Sequence, residues 1–93
     1  MKSTDVKKII KISKALADEN RYKIFETIAD NDEIVCKKLT EMFPLSQPTI
    51  SHHLKLLTES ELVNVRREGQ WGYFSINQKT LKMFIKGLTE FSK

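Results

Sequence analysis

The sequence predicts a mainly α fold carrying one small β-hairpin: about five helices, with a two-stranded hairpin set between the fourth and the fifth. Three observations lead there. Apolar residues recur every three or four positions through most of the chain. The stretch LVNVRREGQWGYFSIN, Leu62 to Asn77, is instead rich in Val, Tyr, Phe and Ile on either side of a turn at Glu68, Gly69 and Gln70. A composition of 40% hydrophobic and 30% charged residues with only 3 Gly and 2 Pro excludes disordered, collagen-like and low-complexity chains.

At 93 residues the expectation is one small domain, residues 1–93, with no room for two lobes around a catalytic cleft. So short a chain buries only roughly two thirds of the surface its unfolded form exposes, and a second copy is expected to complete the apolar packing. A single cysteine makes no disulfide within the chain and no multi-thiolate metal cluster, which points to the reducing cytoplasm. Sixteen Lys and Arg against twelve Asp and Glu leave a net charge of +4, a mild lean toward anionic partners such as nucleic acid or acidic lipid. Lysines interrupt the N-terminal apolar residues, unlike a secretory signal. No apolar run approaches the roughly 20 residues that cross a bilayer, so membrane insertion is not expected.

In chain order, Asp5 to Ala17 predicts an amphipathic helix, with Val6, Ile9, Ile10, Ile12, Leu16 and Ala17 on one face and Lys7, Lys11 and Lys14 opposite. The lysine stripe is short and has no Trp or Phe beside it, which favours a solvated face over a membrane-binding one. Asp18 is placed to cap a second helix through Arg21, Ile24, Phe25, Ile28 and Ala29. The acidic stretch Asp30, Asn31, Asp32 and Glu33 then ends that helix and precedes the next, and its acids read as caps and not as catalysts, because the backbone dipole favours carboxylates near a helix start. That third helix is expected from about Ile34 to Met42, with Val35, Leu39 and Met42 inward and a stop before Phe43 and Pro44.

LSQPTISHHLKLLT, Leu45 to Thr58, is the most informative segment. Ser46 can cap a helix whose first turn holds Gln47 and Pro48, where the missing proline amide costs nothing. Ile50, Leu54 and Leu57 form the buried stripe, and His53, nearer that stripe than His52, reads as a packed, hydrogen-bonded core histidine. Gln47, Pro48, Thr49, Ser51, His52 and Lys55 are left on the outer side. Amide, hydroxyl, imidazole and ammonium groups on a helix held from behind by aliphatic residues suit the DNA major groove.

In the hairpin, alternation puts Phe74 and Ile76 on one side and Trp71, Tyr73 and Ser75 on the other, and sends Arg66 and Arg67 to opposite faces. Gln78 to Phe91 predicts a last helix with Leu81, Phe84, Ile85, Leu88 and Phe91 on one stripe and Lys79, Lys82 and Lys86 opposite. Together with Val6, Ile9 and Ile10 of the first helix, Leu81, Phe84, Ile85 and Leu88 exceed what a small core absorbs, and these seven are the expected homodimer interface.

Helix, turn, recognition-type helix and basic hairpin is the order of a winged helix-turn-helix. ALADENRYKIFETI resembles the opening signature of the ArsR-type (ArsR/SmtB) bacterial repressors, a small residue pair, an acidic cap and an Arg ahead of an aliphatic helix. SQPTISHHLKLLTESELV resembles their recognition helix and its exit, and REGQWGYFSIN their wing. The resemblance covers roughly Leu16 to Asn77. It implies a dimeric, sequence-specific transcriptional repressor on a twofold-symmetric DNA operator, with base contacts on Gln47, Thr49, Ser51, His52 and Lys55, wing contacts on Arg66, Arg67 and Gln70, and the first and last helices at the dimer seam. Chemically, Gln47 can pair with adenine, Thr49, Ser51 and His52 can exchange hydrogen bonds with base edges or phosphates, and Lys55 and the two arginines neutralise phosphates. The plainer readings are a helix start completed by Gln47 and Thr49 and a solvated hairpin around the arginines.

The chain departs from the metal-sensing members, which pair cysteines on the helix before the recognition helix. In EIVCKKL only Cys36 is present, and by alignment it falls between the usual ligand positions. Gln78 to Lys93 holds no His and no Asp, with Glu90 its one acid. His52 and His53 diverge by about 100° and do not chelate one ion. A metal-independent regulator without cofactor is therefore expected. Release from DNA is left to a small-molecule inducer at the dimer seam, a sequestering protein or expression level. The competing readings are a winged-helix module that docks protein, for which Leu56 and Trp71 are the candidate anchors, and a member sensing a metal or a thiol oxidant through Cys36. No acid–base pair at catalytic spacing and no Gly-rich phosphate loop suggests an enzyme.

Overall fold

The computed structural model describes residues 3–92. In order the elements are α1 (Ser3–Ala15), α2 (Glu19–Ala29), β1 (Ile34–Val35), α3 (Cys36–Met42), α4 (Gln47–Glu59), β2 (Val63–Glu68), β3 (Trp71–Ile76) and α5 (Gln78–Thr89). Five helices and a β-hairpin wing thus match the predicted class among the described residues.

Capping starts the helices where the sequence placed them. The Asp18 carboxylate accepts from the Arg21 amide at 2.9 Å, and Ser46 Oγ accepts from the Thr49 amide at 3.3 Å with Pro48 in the first turn of α4. Asn77 Oδ1 does the same for α5, accepting from the Thr80 amide at 3.2 Å. Behind them, Ile12 of α1, Ile24 and Ile28 of α2, Leu39 of α3, Ile50, Leu54 and Leu57 of α4, Leu62 and Phe74 form one buried cluster. The recognition-type helix α4 contributes three of these, so its orientation is set by the core and not by its exposed side.

The sheet has one strand more than the sequence suggested. Ile34 and Val35 do not open α3. They form β1, antiparallel to β3 with Ile34 opposite Phe74 and Val35 opposite Tyr73, and the strand order is β1-β3-β2. Pairing with the wing gives these two β-branched residues a ladder that an isolated helix start could not. Other boundaries and faces also shift. The first helix ends at Ala15, since Arg21 Nε and Nη2 donate to the Ala15 and Lys14 carbonyls, and Ala17 is exposed. Met42, expected inward, is 51% exposed, because α3 ends there and the last turn extends past the core. The acidic stretch does end α2, with Asp30 as its C-cap residue, but its acids do not cap α3: Val35 occupies that N-cap without a side-chain bond, and Glu33 turns toward the wing.

Candidate nucleic-acid interface

Gln47, Thr49, Ser51, His52 and Lys55 all lie exposed along α4, with Ser51, His52 and Lys55 on the side away from Ile50, Leu54 and Leu57 and Gln47 and Thr49 flanking at the helix start. Two of them have neighbours within the chain. The Thr49 hydroxyl lies 2.8 Å from Ser46 Oγ, so it also supports the helix start, and Ser51 Oγ lies 4.0 Å from Cys36 Sγ on α3. His53 is the buried member of the histidine pair, 8% exposed, with Arg21 Nη1 donating to its Nδ1 at 3.3 Å. A guanidinium only donates, so this hydrogen bond requires an unprotonated Nδ1 and favours the neutral ring. Burial pushes the His53 pKa below its ordinary value; the Asp18 carboxylate works against that shift, and Arg21 and His52 add to it.

The wing closes the other side. An open groove of about 350 Å³ runs between α4 and the sheet, with Leu54 and Phe74 among its apolar lining and Lys37, Lys55 and Arg67 supplying cations. Gly69, at a left-handed φ of 60°, makes the two-residue connection with Gln70, which stands exposed at the wing tip. Arg67 pairs across the ladder with Gly72, and a Cβ at Gly72 would come within 3.2 Å of Arg67 Nη1. Glycine there leaves room for the guanidinium, which would have to shift by a few tenths of an ångström for a side chain at that position.

Arg66 points to the opposite face. Its Nε and Nη2 donate to the two carboxylate oxygens of Glu33 at 3.0 and 2.9 Å, its Nη1 donates to Glu68 at 2.6 Å, and the guanidinium carbon sits 4.4 Å over the Tyr73 ring. These hydrogen bonds hold the Glu33 carboxyl below its usual range and stabilise the protonated guanidinium further. Of the predicted contacts, Gln47, Ser51, Lys55, Arg67 and Gln70 therefore line one groove; Thr49 and His52 are exposed on α4 outside it, and Arg66 does not join them. Sequence reasoning missed Lys37, Glu33 and Arg21. No local signal marked Glu33 as a partner of the wing, since Arg66 is 33 positions away.

The expected dimer residues divide in two. Val6, Ile10, Ile85 and Leu88 are exposed at 46, 50, 53 and 46%, and α5 has no buried residue at all. Ile9, Leu81 and Phe84 are half-buried, the latter two against the chain's own core.

Against this geometry, a family model described as a helix-turn-helix domain matches residues 16–66. The chain is 35% identical to the arsenical resistance operon repressor of Staphylococcus aureus over 82 residues, 88% of this chain and 78% of that one. It is 34% identical to the transcriptional repressor SdpR of Bacillus subtilis over 80 residues, 86% and 88% of the two chains. The chain belongs to the ArsR-type helix-turn-helix regulators. HlyU from Vibrio cholerae superimposes with a TM-score of 0.77 at 30% identity, over 99% of this chain and 98% of that one. An ArsR-like regulator from Rhodococcus superimposes with a TM-score of 0.82 over 91% and 79% of the chains; at 21% identity that likeness concerns the fold alone. In this ArsR-type chain no three His, Cys, Asp or Glu side chains converge among the described residues, and Cys36 is a half-buried free thiol. No helix is long and apolar enough to cross a membrane among them.

Proposed function

We propose that this ArsR-type chain works as a dimeric transcriptional repressor in the cytoplasm, residues 1–93 acting as one DNA-binding unit on a twofold-symmetric operator. The observation that carries the reading is the outer face of α4, where Gln47, Thr49, Ser51, His52 and Lys55 stand exposed on a helix fixed from behind by buried Ile50, Leu54 and Leu57. Such a rod presents donors and acceptors to base edges without ordering itself on contact. Arg67 and Gln70 are the wing residues assigned to the duplex; Arg66, expected beside them, is engaged by Glu33 and Glu68 on the other face of the hairpin. The repressor names of the relatives support this direction of control.

The exposed apolar residues Val6, Ile10, Ile85 and Leu88 support a second copy as the cover of α1 and α5. Control does not pass through the family's metal sites: Cys36 is a free thiol whose Sγ lies 4.0 Å from the Ser51 hydroxyl, with no second cysteine in the chain. An inducer seated at the seam or a protein that sequesters the dimer would act in place of a metal. No enzymatic step is assigned to the chain.

Selection of bound fragments from the host genome tests the reading. A recurring inverted repeat, released by neither zinc, cadmium nor arsenite at micromolar concentration, is the expected result. Fragments recovered without any shared sequence would contradict operator recognition, and release by one of these ions would contradict metal independence.

A further inference from the structure

The two wing arginines, adjacent in sequence and identical in type, occupy different chemical situations. Arg66 leaves β2, lies over the Tyr73 ring on the central strand β3 and ends at Glu33, immediately before the far strand β1. One side chain thereby spans the three-stranded sheet, two strand spacings or roughly 10 Å. Its fork is matched to both Glu33 oxygens, and its remaining amino group is held by Glu68. Arg67, on the other face, has Gly72 beneath it and opens into the groove that Lys37 and Lys55 also line.

We infer that the two arginines divide the work of the wing: Arg67, with Lys55 and Lys37, holds the phosphate backbone of DNA in the groove beside α4, whereas Arg66 is a positioning residue that contacts no DNA and, through Glu33, holds the wing at the angle the groove requires. The inference rests on the DNA-binding reading above. A phosphate approaching Arg66 would have to displace a bidentate carboxylate and would meet the charges of Glu33 and Glu68 first. No carboxylate holds Arg67 among the described residues. Glu33 thus acquires a role with a counterintuitive sign: an acidic residue that strengthens binding to a polyanion, because it orients the wing.

Operator affinity of the full chain measured against salt concentration separates the roles. Each phosphate neutralised contributes about 0.9 to the slope of log K against log salt. Arg67→Ala is expected to lower the slope by about one unit. Arg66→Gln should weaken binding by about two- to fivefold at every salt concentration, the range of an exposed ion pair, with the wild-type slope. Glu33→Gln should weaken it by a similar factor, although it removes a negative charge, and the double variant Glu33→Gln with Arg66→Gln should be no worse than either single one. Arg66→Lys, which keeps the charge but loses the fork, should weaken binding nearly as much as Arg66→Gln, and the urea midpoint of each variant should stay close to that of the wild type, which a variant that merely misfolds would not show. A slope lowered by Arg66→Gln as much as by Arg67→Ala, or tighter binding on Glu33→Gln, would overturn the inference while leaving the function intact. Failure of the wild-type chain to bind any duplex would instead overturn the function.

Discussion

Arg21 Nη1 donates to Nδ1 of His53 at 3.3 Å, so the guanidinium near the start of α2 grips the buried side of the recognition-type helix. The same guanidinium donates to the Lys14 and Ala15 carbonyls at the end of α1. One side chain therefore ties the helix with the exposed apolar face to the helix with the exposed polar face. Bonds of a charged donor in a half-buried site contribute about 1.5–3 kcal/mol. Arg21→Lys keeps the charge but loses the fork, and should cost on that order in urea unfolding.

The neutrality of His53 has a pH signature. Its folded pKa lies below the ordinary 6.5, so between those two values the unfolded chain binds the proton and the folded chain does not. Stability should fall as pH drops below about 6.5, and this loss is complete once pH passes below the folded value. Asp18 and Glu33, whose folded pKa values are lowered from 3.8 and 4.5, hold stability above those values and lose it only as pH falls through their folded pKa. His53→Gln can still accept from Arg21 without titrating, and should flatten the upper part of the stability profile alone. A profile that keeps its full slope near pH 6 in that variant would assign the effect elsewhere.

Glu61 follows α4 with φ 69°, a left-handed conformation that costs a non-glycine residue about 1–2 kcal/mol. Part of the relief from glycine is lost to the greater freedom of the unfolded chain, about 0.4–1 kcal/mol. Glu61→Gly should therefore raise stability by roughly 0.5–1 kcal/mol and Glu61→Val should lower it, as read from urea midpoints.

What local rules govern was legible in the sequence, and what distant pairing governs was not. The Ser46 cap, the proline turn and the Ile50, Leu54 and Leu57 stripe all arise within one helix, so spacing alone located α4 and its outward residues. Strand β1 is two residues long and exists because β3 offers it a ladder, a fact carried by Phe74 and Tyr73 some 40 positions away. Glu33 looked like a cap because a carboxylate ahead of a helix usually is one. The ion pair with Arg66 outcompetes that role, and the alternation that sent Arg66 and Arg67 to opposite faces contained half of the answer.

The exposed stripes on α1 and α5 give a direct prediction for association. Burying one Ile or Leu side chain stabilises an interface by about 1.5–3 kcal/mol. Ile85→Glu or Leu88→Glu should therefore raise the dimer dissociation constant by roughly ten- to a hundredfold, with the helix content of the monomer unchanged because both residues are already exposed within one chain. Sedimentation over a concentration series reads this shift. An unaltered association constant in both variants would remove α5 from the seam.

Base reading on α4 separates from charge in a different assay. Ser51→Ala with His52→Ala should reduce discrimination between operator and random duplex by about 1–3 kcal/mol for each base edge that the variant no longer reads. Equal weakening on both duplexes would assign these two residues to phosphates instead.

The most direct measurement is the mass and affinity of the complex formed on a selected duplex, by light scattering and fluorescence anisotropy together. The prediction is saturation at two chains per duplex on an inverted repeat whose half-site centres lie about 34–36 Å apart or a multiple of that, with affinity falling steeply as salt rises. A single chain per duplex, or equal affinity for every sequence offered, would contradict it.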